Sequence, residues 1–244
     1  MKKINVIIRV TEAGNLSTVI VRLFKAEVEA KSDVGGDAYL MDMIAAVDKY
    51  SAALTTAIKA DKASSNLDIA DTKRDEIIRQ LNAAVTGYAN LPLPSLQNAA
   101  TLLLDILTKY KGITSESYAR ESSLIKSLLE DLSAPDAKNA ISALQGIGEL
   151  VSALTAAQNE FDQVNDAFNA ATALKTESAS SLKKPLLACI NDTLVPYLTA
   201  MNLVKPAIYG EFISKVENEI TRANQTVAKR RNRGPADTER EASV

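Results

Sequence analysis

The sequence predicts an all-α protein, an elongated antiparallel helical bundle of about eight helices with an internal duplication. Three observations predict it. Apolar residues recur at near-heptad spacing through most of the chain, as one buried helix face requires. The stripe Tyr39, Met43, Ala46, Tyr50, Ala53, Ala57 returns 111 positions later as Leu150, Leu154, Ala157, Phe161, Val164, Phe168. A second set, Ile77, Ile78, Leu81, Asn82, Val85 and Tyr88, returns at a spacing of 109 as Leu186, Leu187, Ile190, Asn191, Leu194 and Tyr197. A changed loop length between the two helices accounts for the two-residue slip.

The elements follow in order. Residues 1–14 read as an extended arm, with Ile4, Val6, Ile8 and Val10 alternating as in a strand. Glu12-Ala13-Gly14-Asn15 is a turn signal, and the β-branched run Thr18 to Val21 leaves a hairpin open. A helix from about 15 to 31 is preferred, capped by Asn15 or Ser17 and striped by Leu16, Ile20, Leu23 and Val28. Gly35-Gly36 ends it. Asp37 caps a helix to 61, and after a polar joint at Ser64-Ser65-Asn66 another runs from about 67 to 90, ended by Pro92 and Pro94. Ser95 caps a helix to 111 that Gly112 stops.

The second half repeats this order. Ser115 opens a helix to about 132, and Ser133 with Asp136 has the spacing of a capping box for a shorter one. Gly146-Ile147-Gly148 stands where Gly35-Gly36 stood, and the striped helix 149–174 follows. A Ser-rich joint leads to a helix over about 181–203, in which Pro196 predicts a kink, and a last helix covers about 206–230. The stripes are narrow and regular, as near-parallel left-handed packing demands. A single domain over 15–228 results, with similar halves at about 15–112 and 113–228. Residues 229–244 are polar, contain Gly234-Pro235, and lack the apolar surface that offsets ordering entropy, so disorder is expected there.

Composition excludes more than it assigns. A chain of 244 residues can bury a sizeable core, here made mostly of Ala, Leu, Ile and Val because aromatics are 5% and Trp is absent. Hydrophobic residues at 46% and charged residues at 24% are globular values. The net charge of −2 gives the body no electrostatic reason to bind nucleic acid or membrane. Asn5 and Arg9 interrupt the apolar run after Lys2-Lys3, so no export signal is read and a cytoplasmic location is expected. No run approaches the length of a membrane span.

The order of elements, the Gly-bounded halves, the long helix bearing Asp71-Thr72-Lys73-Arg74-Asp75 and the segment Leu128-Leu129-Glu130-Asp131-Leu132 together resemble an uncharacterised all-helical family of unknown function. It is the domain-of-unknown-function family six-two-six-one of Bacteroides-type bacteria. The resemblance covers nearly the whole chain to about residue 231 and implies a helical, bacterial, cytoplasmic protein. It supplies no catalytic residues. The β-branched run at 18–21 departs from the family's helical opening.

Histidine is absent, which removes His-dependent triads, His-based zinc sites and the Glu-x-x-His motif of di-iron bundles. The single cysteine, Cys189, excludes an internal disulfide and a thiolate metal cage, and reads as a packed apolar thiol. Asp68, Asp71 and Asp75 share one helix face and could hold a hard cation if other helices added oxygens; a solvated, dipole-favoured first turn explains them equally. No metal ligand, catalytic residue or cofactor is assigned. Gly146-x-Gly148 lacks both a third glycine and a preceding strand. The sequons at Asn15, Asn191 and Asn224 are chance matches without export. Asn82 and Asn191 are either register-fixing asparagines or relics of duplication, and Tyr88 and Tyr197 are end-of-helix packing residues. Lys229, Arg230, Arg231 and Arg233 form a basic cluster diluted by Asp237, Glu239 and Glu241. The function expected is therefore that of a non-enzymatic helical interaction or scaffold protein, with a protein partner or self-association. The alternative is a nucleic-acid-associated protein acting through the tail.

Overall fold

The computed structural model describes residues 1–30 and 32–232, and among the described residues every regular element is helical. Helix α1 (Val10–Ala30) is followed by the short α2 (Ser32–Gly35), the 52-residue α3 (Ala38–Ala89) and α4 (Pro94–Thr108). After one 3₁₀ turn at Ile113–Ser115 come α5 (Tyr118–Leu132), α6 (Pro135–Ala143) and α7 (Ile147–Ala173). Helix α8 (Ala179–Ala188) passes through a π-helical turn, Cys189–Leu194, into α9 (Val195–Val204), and α10 (Pro206–Asn232) ends the described chain. No described helix is long and apolar enough to cross a membrane.

Several expectations are corrected. Helix α1 begins at residue 10, so the arm is shorter than 1–14 and the hairpin is absent from the described residues. Glu12 reaches back to the Arg9 amide at 3.2 Å, the returning half of a capping box. Gly14 lies inside the helix, where a Cβ would meet Leu54 at 3.5 Å. Burial of Ile20 and Val21 outweighs the β-preference of the Thr18–Val21 run. The joint at 64–66 is unbroken helix: serine and asparagine cost a helix only a few tenths of a kcal/mol each, and neither Gly nor Pro interrupts the run. Ser133 closes α5, donating its hydroxyl to the Glu130 carbonyl at 2.7 Å, and does not open α6. Pro196 is accommodated by the π turn just before it, a local adjustment that relieves proline's missing donor and steric clash. Lys229, Arg230 and Arg231 belong to the last turn of α10, and the rest of the tail, 233–244, lies outside the described residues.

The chain divides into two compact units that cut across the halves 15–112 and 113–228. The first is Met1–Asp61 with the described part of Ala171–Val244, and the second is Lys62–Ala170. Packing explains the division: α10 lies on α1 and α9, whereas α4 lies on α5 and α6. The first unit's core runs through Ile8, Ile20, Leu40, Leu54, Leu186, Leu198, Phe212 and Ile220, with Phe24 edge-on to Phe212 at 5.9 Å. Its N-terminal segment is held by two asparagines acting like a neighbouring strand. Asn191 accepts from the Ile4 amide (2.7 Å) and donates to the Ile4 carbonyl (2.9 Å). Asn224 accepts from the Asn5 amide (2.8 Å) and donates to the Lys3 carbonyl (2.9 Å). The second unit's core joins Leu81, Val85, Leu103, Ile125, Leu128, Leu144 and Leu154, with a smaller cluster of Leu67, Ala70 and Phe161 beside it.

Candidate functional site

The candidate site is a buried ion cluster in the second unit, centred on Arg74. On α3 the buried stripe reads Leu67, Ala70, Arg74, Ile77, Ile78, Leu81, Val85, so a guanidinium occupies a core position at 0% exposure. Helical spacing puts it there, and the facing helices supply its partners. One terminal nitrogen donates to Ser122 Oγ on α5 (2.8 Å) and Gln158 Oε1 on α7 (3.0 Å). The other reaches Asp71 Oδ1 on α3 (2.7 Å) and Glu121 Oε2 on α5 (3.2 Å). The central carbon of the guanidinium lies over the Phe161 ring, 3.4 Å from its centre, a cation–π contact freed from competing water. Tyr118 lies edge-on to Phe161 at 5.5 Å.

The acidic row thus has an occupant, and it is the protein's own arginine. Asp68 accepts from the Tyr118 hydroxyl at 2.8 Å, Asp71 binds Arg74, and Asp75 pairs with Arg79 at 3.2 Å. The carboxylates the sequence placed on one face are drawn into separate bonds and do not converge on a shared vacancy. Among the described residues no group of three or more Asp, Glu, Cys or His side chains has metal-holding geometry.

Protonation completes the cluster. Glu121 is 1% exposed, and burial, together with the charges of Asp71 and Asp75, overrides the attraction of Arg74 and pushes its carboxyl up to about 8. Burial and the neighbouring Asp71 charge also raise Asp75. Glu121 Oε1 and Asp75 Oδ1 are both buried without a donor when both acids are ionised. A proton retained on Glu121 turns one acceptor into a donor beside Asp75, which relieves the cost of unmatched buried oxygens. The cluster accordingly ties α3, α5 and α7 together with a proton as one of its parts. Asp68 raises the Tyr118 hydroxyl, first through their hydrogen bond and then with burial, to about 12.

The remaining sequence candidates fall elsewhere. In the first unit Asp37 caps α3, accepting from the Leu40 amide at 3.0 Å, while its other oxygen accepts from the Tyr197 hydroxyl and, at 2.7 Å, from the Tyr209 hydroxyl. Burial opposes the Asp37 charge, but these hydroxyls with the Leu40 and Tyr39 amides outweigh it and hold the carboxyl below its ordinary value. Tyr197 therefore does more than pack. Tyr88, its sequence counterpart, donates to the Gln145 carbonyl at 2.9 Å. Asn82 and Asn191 have different duties: Asn82 bonds the Ile78 carbonyl of its own helix, and Asn191 holds Ile4. Cys189 is half-buried, and burial raises its thiol. In the basic cluster Arg230 pairs with Glu12 at 3.0 Å, Lys229 and Arg231 are exposed, and Arg233 lies outside the described residues.

The sequence shows Arg74 only as one residue of the segment Asp71-Thr72-Lys73-Arg74-Asp75, with no role read for it. The missed signal was its register, because a cation on an apolar stripe is buried with partners or breaks the helix packing.

A helical protein whose most elaborate polar site is a structural ion cluster defines the class. The chain belongs to the family of unknown function DUF6261, matched over residues 64–217. No curated protein and no solved structure matches it.

Proposed function

We propose that the protein is a non-enzymatic helical interaction protein, a scaffold that presents apolar side chains to a protein partner, with self-association the first case to test. The observation that carries this reading is a pair of exposed aliphatic residues just before a proline-started helix in each unit. Leu91 and Leu93 (50% exposed) precede Pro94 in the second unit, and Leu203 (81% exposed) and Val204 precede Pro206 in the first. Large aliphatic side chains left in water at corresponding places are surface that a partner would cover. Sedimentation across a wide concentration range, with the native host's proteins recovered on the tagged chain, tests it. A concentration-dependent assembly or a specific partner, lost when Leu93 and Leu203 become Glu, is expected. A strictly monomeric, partnerless chain overturns it. Salt-sensitive binding of DNA or RNA that disappears on deleting residues 229–244 would instead favour the nucleic-acid alternative.

We also infer that the units descend from one duplicated layout, with parts exchanged between them. The first half gives α1, α2 and the start of α3 to the first unit and the rest of α3 with α4 to the second. The second half gives α5, α6 and nearly all of α7 to the second unit and α8, α9 and α10 to the first. Buried positions support this at constant spacing: Ala13, Ser17, Ile20 and Phe24 of α1 correspond to Glu121, Ile125, Leu128 and Leu132 of α5. Met43, Val47 and Tyr50 correspond likewise to Leu154, Gln158 and Phe161.

A further inference from the structure

We propose that the first unit binds an amphipathic anion, a small molecule with a carboxylate or phosphate head and an aliphatic body, in a cavity between its N-terminal segment and α8. The cavity measures about 700 Å³, within the range of small-molecule sites. Its apolar wall is Ile4, Leu187 and Ala188, and its rim carries Lys3, Lys183 and Lys184. Lys3 is matched by Asp192 at 2.9 Å. No carboxylate pairs with Lys183 or Lys184 among the described residues. The asparagine clamp on Ile4 and Asn5 fixes one wall in place, so the space is preformed, which spares a ligand the cost of ordering it.

The second unit shows what such a position otherwise requires. Lys183 stands 109 residues beyond Arg74, the spacing that relates Leu81 to Ile190. Around Arg74 the protein supplies Asp71 and Glu121 as counter-charges. At the matching places the first unit has Ser180 and Ala13. Its cation keeps its position and loses its built-in anions, and it lines a cavity instead of a core. An anion arriving from solution restores the pairing, and the apolar wall selects one that carries a hydrocarbon body.

Calorimetric titration of the full chain with decanoate below its micellar range, with decanol, and with inorganic phosphate tests the site. Decanoate should bind roughly tenfold or more tightly than either of the other two. The double variant Lys183→Glu/Lys184→Glu should weaken decanoate by roughly tenfold or more and leave decanol unchanged. Ala188→Trp, which fills the cavity from an exposed helix position and keeps both lysines, should abolish binding of decanoate while the circular dichroism and melting of the chain stay as they were. Decanoate binding that survives the lysine reversal, phosphate binding equal to decanoate, or no decanoate binding at all overturns the proposal.

Discussion

The two units are stabilised by different electrostatic means. In the first, the core is mainly apolar, interrupted by the buried Ser17–Ser51 hydrogen bond (2.9 Å) and by Glu27 beside Lys215 (3.3 Å), and Asp37 sits at a helix start where amides and tyrosine hydroxyls favour its charged form. In the second, a guanidinium and acids replace apolar residues inside the core, and Glu121 is held in its neutral form. Where the first unit has Val47 and Ala13 the second has Gln158 and Glu121. A helical core can thus be filled mainly by hydrocarbon or around a matched ion cluster, and the choice decides how the unit answers to pH.

The largest effect should come from removing the centre of the cluster. Arg74→Ala leaves Asp71 and Glu121 without their cation, and breaking a buried pair this way costs about 3–5 kcal/mol. Urea unfolding measures it. The comparison is sharpened by Arg74→Leu combined with Glu121→Ala and Gln158→Val, which brings the second unit toward the apolar filling of the first and should recover most of the loss. If the combined variant is no better than Arg74→Ala, the two fillings are not interchangeable.

Phe161→Ala should follow closely, at about 3–5 kcal/mol, because the ring is 1% exposed and supports the Arg74 guanidinium. Tyr50→Ala, at the corresponding position of the first unit, should cost clearly less, since Tyr50 is half-buried and carries no cation. Equal costs in thermal melts would show that the cation–π contact adds nothing to the cavity term.

The pH response should separate the units next. Glu121 binds its proton more tightly folded than unfolded, so its contribution is fully present below its ordinary value of 4.5 and is lost as pH rises through about 8. Asp75, also raised, acts in the same direction. Asp37 acts oppositely: its carboxyl is lowered, so its contribution is present above its ordinary value of 3.8 and is lost as pH falls through the lower folded value. Stability measured against pH should therefore decline on the alkaline side, and Glu121→Gln should flatten that decline without altering the acid limb. A variant curve parallel to the parent's above neutrality would place the alkaline loss in another group.

Much of the fold was legible because it rests on periodic apolar residues and on punctuation. The prolines at 92 and 94 separate α3 from α4, although Leu93 and not Ser95 stands at the cap, and Pro206 begins α10. Gly112 and Gly146 take positive φ, and most of the stripe residues at 77–88 and 186–197 are buried as their spacing requires. The joint at 64–66 and the turn at Gly14 were misread for a shared reason. Local polarity and a single glycine do not interrupt a helix whose neighbouring turns are packed, and the packing partner, Leu54 in the case of Gly14, is distant in sequence. The acids of the candidate site were visible, and their partner was not recognised, because Ser122, Glu121 and Gln158 converge on Arg74 only after α5 and α7 have packed.

The smallest effect distinguishes two tyrosines 109 residues apart in the sequence. Tyr88 and Tyr197 lie at matching positions, yet one hydroxyl donates to a neutral carbonyl, that of Gln145, and the other to the carboxylate of Asp37. A bond to a charged acceptor is worth more than one to a carbonyl, about 1.5–3 against about 1 kcal/mol. Tyr197→Phe should sit at the lower end of its range, because Tyr209 still donates to the same carboxylate. Its cost should shrink in acid, where protonating Asp37 removes the charge in parent and variant alike. Tyr88→Phe, with no titrating acceptor, should cost the same at every pH at which the protein stays folded. Chemical denaturation of both variants at neutral and acidic pH reads the difference, and a pH-independent cost for Tyr197→Phe would show that the hydroxyl contributes through packing and not through the Asp37 charge.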